Sequence, residues 1–202
     1  MQAEPLLTQA ELDFIQSLQN KPDAASDQSR PDLLVDAGGQ VKALLAHCAA
    51  HEQLTIEAHF ANQRLTFTPH LVEDAQHAQH LELGTPLIYD EGPVDRAWRL
   101  PLEPAVALCQ RDATPSNLWV REVSMSGLLV EQRAKHEPPR RISLMLPLSD
   151  HKPVAIQAAL VRRTPQGLLA YRMRPLNRRG RERLQHFIYQ RHRSHFPQAH
   201  SA

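Results

Sequence analysis

Long apolar runs are missing from this 202-residue chain. No stretch approaches the ~20 uninterrupted apolar residues that a membrane-spanning helix needs, so no membrane insertion is expected. The opening MQAEPLL has neither the basic nor the apolar part of a signal peptide, which predicts a cytoplasmic protein. Cysteine is almost absent. Cys48 and Cys109 fall in what read as different domains, so they are expected to be buried free thiols and not a disulfide. Aromatics make up 5% of the residues and only 7 are Gly, yet 42% are hydrophobic and 16 are Pro. That balance suits short strands broken by turns better than long helices, and a mainly β fold is expected. No Gly-rich phosphate loop, nucleophile elbow or Cys–His signature occurs, and no catalytic residue is assigned. His47 and His51 would share one helical face, but no third ligand and no HExxH glutamate accompany them, so no metal site is assigned.

What is present is a charge polarity. Residues 1–94 carry 4 basic and 14 acidic groups, a net −10, while residues 95–202 carry 19 and 8, a net +11. Such asymmetry predicts either an anionic partner for the second half or attraction between the two halves. Arg178, Arg179, Arg181, Arg183, Arg191 and Arg193 make the last segment strongly basic. No aromatic stacking surface goes with them, so nucleic acid ranks third, behind a solvated face, which leads, and an acidic partner.

Along the chain, residues 1–32 hold one short amphipathic stretch on a polar tether. Thr8 and Glu11 form a capping box, and Leu12, Phe14, Ile15 and Leu18 form an apolar face suited to docking on a partner. Val41, Leu44, Leu45 and Cys48 fit a helix, and Leu54–Phe60 followed by Arg64–Thr68 reads as a hairpin with Leu65 and Phe67 inward. Residues 33–92 are therefore expected to be a first small β domain. Asp90–Glu103 is rich in Pro and predicts an extended, stiff connector. Six strand-like runs follow, at Ala105–Cys109, Leu118–Val123, Gly127–Glu131, Ile142–Leu146, Val154–Arg162 and Leu168–Arg174, indicating an antiparallel barrel or sandwich over residues 93–202. Asn177–His195 reads as a closing amphipathic helix, with Leu184, Phe187, Ile188 and Arg191 at helical spacing and His192 and His195 as surface polar residues.

Two short elements give this order of strands a likeness. Glu122-Val123-Ser124-Met125-Ser126-Gly127 keeps the frame Asp/Asn-x-Ser-x-x-Gly, with Glu in place of the short acid or amide. In Asp95-Arg96-Ala97-Trp98-Arg99, Arg99 matches the second arginine of an Arg-x-x-x-Arg element, Asp95 stands at the first, and Arg96 is one residue late. On these residues the chain resembles the PilZ family, whose second-domain barrel binds cyclic di-GMP, and residues 35–195 resemble the two-domain flagellar brake proteins. The resemblance implies two small β-barrel-like domains in tandem, the second a six-stranded antiparallel barrel followed by a C-terminal α-helix. It also implies a non-enzymatic cyclic di-GMP receptor that changes its interdomain arrangement and regulates motility or chemotaxis through protein contacts. The implied ligand residues are Arg96, Arg99, Glu122, Ser124 and Gly127. An arginine can engage the guanine edge with two donors and neutralise phosphate, and a carboxylate can accept from guanine N–H groups. Replacing Asp95 by Arg is expected to tighten binding by restoring the spacing. The alternatives are a degenerate PilZ adaptor that acts only through protein contacts, or simply solvated connector arginines with ordinary strand residues at Ser124 and Gly127. Residues 7–18, LTQAELDFIQSL, are similar to the amino-terminal peptide of the flagellar switch protein that docks a chemotaxis response regulator.

Overall fold

The computed structural model describes residues 32–33, 48, 54–73, 79–149 and 151–197. The proposed docking residues Leu12, Phe14, Ile15 and Leu18, and the pair His47 and His51, lie outside the described residues.

The first half forms two small sheets. β1 (Asp32–Leu33) belongs to the first. The expected hairpin is β2 (Ile56–Phe60) and β3 (Gln63–Phe67), paired antiparallel across Ala61-Asn62. Ala61 takes the left-handed conformation, φ 51°, that so tight a link requires. Leu65 and Phe67 are buried as the alternation predicts, whereas Ala58 on the edge strand is exposed. β4 (Pro69–Glu73) and β5 (Gln79–Leu83) join β1 in a three-stranded sheet of order β1-β5-β4. Gly84 and Pro86 break the apolar run that the sequence shows as continuous. β6 (Leu87–Asp90) therefore leaves for the other sheet, of order β2-β3-β6-β7, with β7 at Arg96–Ala97.

The connector is extended, as its prolines require, but it is not a free tether. Its backbone needs hydrogen-bond partners, and β6 supplies them: Tyr89 pairs with Ala97 and Asp90 with Arg96. From Leu100 the chain is already in the barrel.

β8 (Leu100–Cys109), β9 (Pro115–Val123), β10 (Gly127–Gln132), β11 (Arg141–Leu148), β12 (His151–Arg163) and β13 (Leu169–Pro175) match the six expected strands, the last beginning at Leu169 and not at Leu168. They close into an antiparallel barrel of order β10-β13-β12-β11-β8-β9. Closure removes free edges, and alternation, shifted by irregularities in four of the strand pairs, fills the interior with Leu108, Val120, Val130, Leu146, Val154 and Ile156. Each such side chain contributes about 1.5–3 kcal/mol on burial.

α1 (Arg178–His195) starts at Asn177, whose side-chain oxygen accepts from the Gly180 N–H at 2.7 Å. It buries Leu184, Phe187 and Ile188 against β12, β13, β8 and β6. Arg191 stays on the surface, donating to Ser149 Oγ at 2.6 Å.

His192 is not the surface residue its sequence context suggests. It is fully buried, with Nε2 2.7 Å from Gln63 Oε1 and its ring edge-on to Trp98 at 4.8 Å. A neutral imidazole can fill apolar space and still satisfy its nitrogen, and this contact ties α1 to β3 and to the connector at once. Leu65, Phe67, Leu83 and Ile88 of the first sheets belong to the same buried cluster as the barrel and α1. Both cysteines are free, but half-buried and not buried; Cys109 ends β8 at the barrel rim. Among the described residues no helix is long and apolar enough to cross a membrane.

Candidate functional site

The Glu122–Gly127 frame is a strand, a turn and a strand. β9 ends at Val123, the Ser124 N–H donates to the Gly127 carbonyl at 2.9 Å, and β10 begins at Gly127. Ser126 anchors the turn by accepting from the Met173 N–H of β13 at 2.8 Å. Gly127 pairs with Arg172, and a Cβ there would come within 3.2 Å of the Tyr171 carbonyl. A side chain at this position would crowd the close approach of β13, which favours glycine. Ser124 is buried, and its Oγ accepts from the Ser126 N–H and donates to the Gly127 carbonyl, both at 3.4 Å. Contacts this long leave the hydroxyl able to take a better partner.

The second element arrives through the barrel register. β8 pairs with β9 so that Leu100 faces Val123 and Pro101 faces Glu122. Arg99, immediately before Leu100, therefore enters beside the turn. Arg96, Arg99, Glu122, Ser124 and Gly127 all line one open cleft of about 520 Å³. Residues 96–99 and 122–127 are brought together by a strand pairing that neither segment encodes alone.

The same cleft holds groups that no motif revealed. Arg162 of β12 and Arg172 of β13 line it, as do Val161, which is 60% exposed, and Thr164. Arg162 closes one of the runs recognised as strands and Arg172 lies within another. Their outward position on alternating strands was the one available signal, and it could not say which cleft they would face. Among the described residues, Arg96, Arg99, Arg162 and Arg172 have no acid within 4 Å.

Two carboxylates oppose these four cations. Glu122 is half-buried, whereas Asp95 is held by Arg64 of β3. Arg64 also lies 3.4 Å from Glu57 and over the Tyr89 ring, with its centroid 5.5 Å away. Asp95 is thus largely neutralised from the first-half sheet, and the cleft keeps an excess of positive charge. Tyr171 is buried and its hydroxyl donates to the Pro139 carbonyl at 2.9 Å, away from the turn. Burial raises its phenol above the usual value, so it stays neutral.

Chemically, the cleft gathers adjustable planar cations beside an exposed apolar patch. Guanidinium planes can stack on a base as well as bond phosphate, and they would have to serve here because the one aromatic ring at the cleft is buried. Among the described residues of the cleft, no nucleophile is paired with a base. Among the described residues, no three His, Cys, Asp or Glu side chains gather as a metal site. No family model, no curated protein and no solved structure matches this chain.

Proposed function

We propose that the chain is a non-enzymatic receptor of the PilZ class for cyclic di-GMP, bound between the connector and the β9–β10 turn. The observation that carries this reading is the convergence of Arg96, Arg99, Glu122, Ser124 and Gly127 on one cleft with a surplus of positive charge. Arg96 and Arg99 would clamp a guanine edge and phosphate, Glu122 would accept from the guanine N–H groups, and Ser124 would bond phosphate or base. Arg162 and Arg172 would neutralise the phosphodiester from the opposite wall. Because β7 is stitched to β6, ligand drawn onto Arg96 would pull on the first-half sheet. In the tandem reading, with residues 33–92 and 93–202 as two small β domains, ligand that prefers one arrangement of the halves would shift the population toward it. The output would be contact with a motility or chemotaxis protein, with Leu12, Phe14, Ile15 and Leu18 docking a response regulator.

Calorimetric titration of the purified protein with cyclic di-GMP tests this directly: saturable 1:1 or 2:1 heat supports it, and folded protein giving no heat refutes it. The second reading is an adaptor that has lost the ligand and works through protein contacts alone. Asp95 favours it, because the residue where the family places an arginine is a carboxylate committed to Arg64.

A further inference from the structure

We propose a second binding site, separate from the arginine cleft: a groove between the first two turns of α1 and the β5–β6 corner that takes an extended acidic segment of a partner protein. This groove, of about 880 Å³, is lined on one side by Arg178, Arg179, Arg181 and Arg183. Its far wall is the corner at Leu83–Thr85, tied to the helix by Gln185 Nε2, which donates to the Thr85 carbonyl at 2.6 Å. Two acids share the groove. Glu182 is engaged by Arg178 at 2.8 Å, and Glu82 already has an interaction of its own. Arg179 and Arg181 have no acid within 4 Å among the described residues. Among the described residues, then, part of the groove's positive charge is left without an acidic partner.

Stability of the helix does not account for that charge. The first turn of α1 contains no acidic residue, and cations there oppose the helix dipole. Arginines that work against their own helix dipole fit a role in binding. The dimensions select the ligand class. At 1.5 Å per residue, Arg178 to Arg183 spread guanidiniums over roughly 7.5 Å of helix axis, wider than one phosphate. An extended peptide repeats same-side carboxylates about every 7 Å and matches that span. Among the described residues, the imidazoles of His70, His151 and His186 line the groove but no Phe, Trp or Tyr does, so the larger stacking platforms for bases are missing, which favours a peptide over single-stranded nucleic acid. The groove also joins the acidic first half to the basic second half, so a partner seated there touches both.

The test uses full-length protein and a fluorescein-labelled peptide of about twelve residues alternating Glu and Gly, read by fluorescence anisotropy at low salt. The acidic peptide should bind, its Gln counterpart should not, and Arg179→Glu with Arg181→Glu should weaken binding at least tenfold. The melting temperature of that variant should stay level or rise, since it removes cations from the helix start; if it misfolds, Arg179→Ala with Arg181→Ala replaces it. Arg140→Glu with Arg141→Glu makes the same charge change on the barrel surface and should leave peptide binding unchanged. Titration with cyclic di-GMP should be the same in all variants, so failure here and failure of the ligand reading are separate results. The proposal is overturned if the barrel-surface pair weakens the peptide as much as the groove pair does. It is equally overturned if a thymidine oligonucleotide of equal charge binds more tightly than the peptide, or if inorganic phosphate displaces the peptide at comparable concentration.

Discussion

Arg64 does not line the arginine cleft, yet Arg64→Ala should weaken binding of cyclic di-GMP there. Its guanidinium holds Asp95, which does line the cleft, and removing it leaves a bare carboxylate beside Arg96 and Arg99. For a phosphate about 7 Å from that carboxylate, the repulsion is about 0.6 kcal/mol at water-like dielectric and about 2.4 kcal/mol at an effective value of 20. The dissociation constant should therefore rise roughly three- to fiftyfold. Folding should change little, because the two side chains are 26% and 47% exposed and such pairs contribute about 0–1 kcal/mol. Calorimetry on three proteins decides it: wild type, Arg64→Ala, and Arg64→Ala with Asp95→Asn. The double variant should bind at least as tightly as wild type, since the carboxylate charge is gone. Raising the salt from about 0.1 M to about 1 M, which shortens the screening length from ~10 Å to ~3 Å, should erase most of the difference. If the double variant binds no better than Arg64→Ala alone, while both melt like wild type, the electrostatic reasoning fails. The same pair complicates Asp95→Arg. That substitution restores the expected arginine spacing, but it also strips Arg64 of its partner and sets two guanidiniums together, offsetting the expected gain.

Arg99→Ala should weaken cyclic di-GMP at least tenfold, since a bidentate base contact is worth roughly 1–3 kcal/mol. Its melting temperature should not move, because Arg99 is exposed and has no ion-pair partner among the described residues; a thermal shift large enough to explain the lost affinity would sink the assignment. His192→Ala should cost about 3–5 kcal/mol, combining a cavity with a stranded Gln63 side chain. Melting should fall by roughly 6–15 °C, with altered fluorescence from Trp98; a loss below about 1 kcal/mol would mean the first-half sheet and α1 are not coupled through this contact. The Arg121 hydrogen bonds, aided by Arg133, hold the Glu131 carboxyl below the usual range. A lowered folded-state value gives stability that is present above the unfolded value and lost as pH falls through the folded one. Melting curves between about pH 7 and about pH 3 should therefore show a smaller acid loss in Glu131→Gln than in wild type, and parallel curves would refute the link.

The six barrel strands and the closing helix were legible in the sequence because their signals are local. A strand buried on one side alternates every second residue, as Leu144, Leu146 and Val154, Ile156, Ala158 do, and a helix announces its start with a cap such as Asn177. The Glu122–Gly127 frame and Arg99 were legible for the same reason, as short motifs along one stretch of chain. Tertiary structure alone decided what faces what. Barrel closure, with β8 lying between β9 and β11, is a long-range pairing, and only that closure brings Arg162 and Arg172 to the cleft that Arg99 enters. Arg64 and Asp95 are 31 residues apart, and Gln63 and His192 are 129 apart; both contacts exist because sheet, connector and helix share one packed core. Periodicity says which face of an element is buried, but not which element covers it. For that reason His192 looked like a surface residue, and nothing along the chain showed that the connector pairs with β6 or that Arg64 holds Asp95.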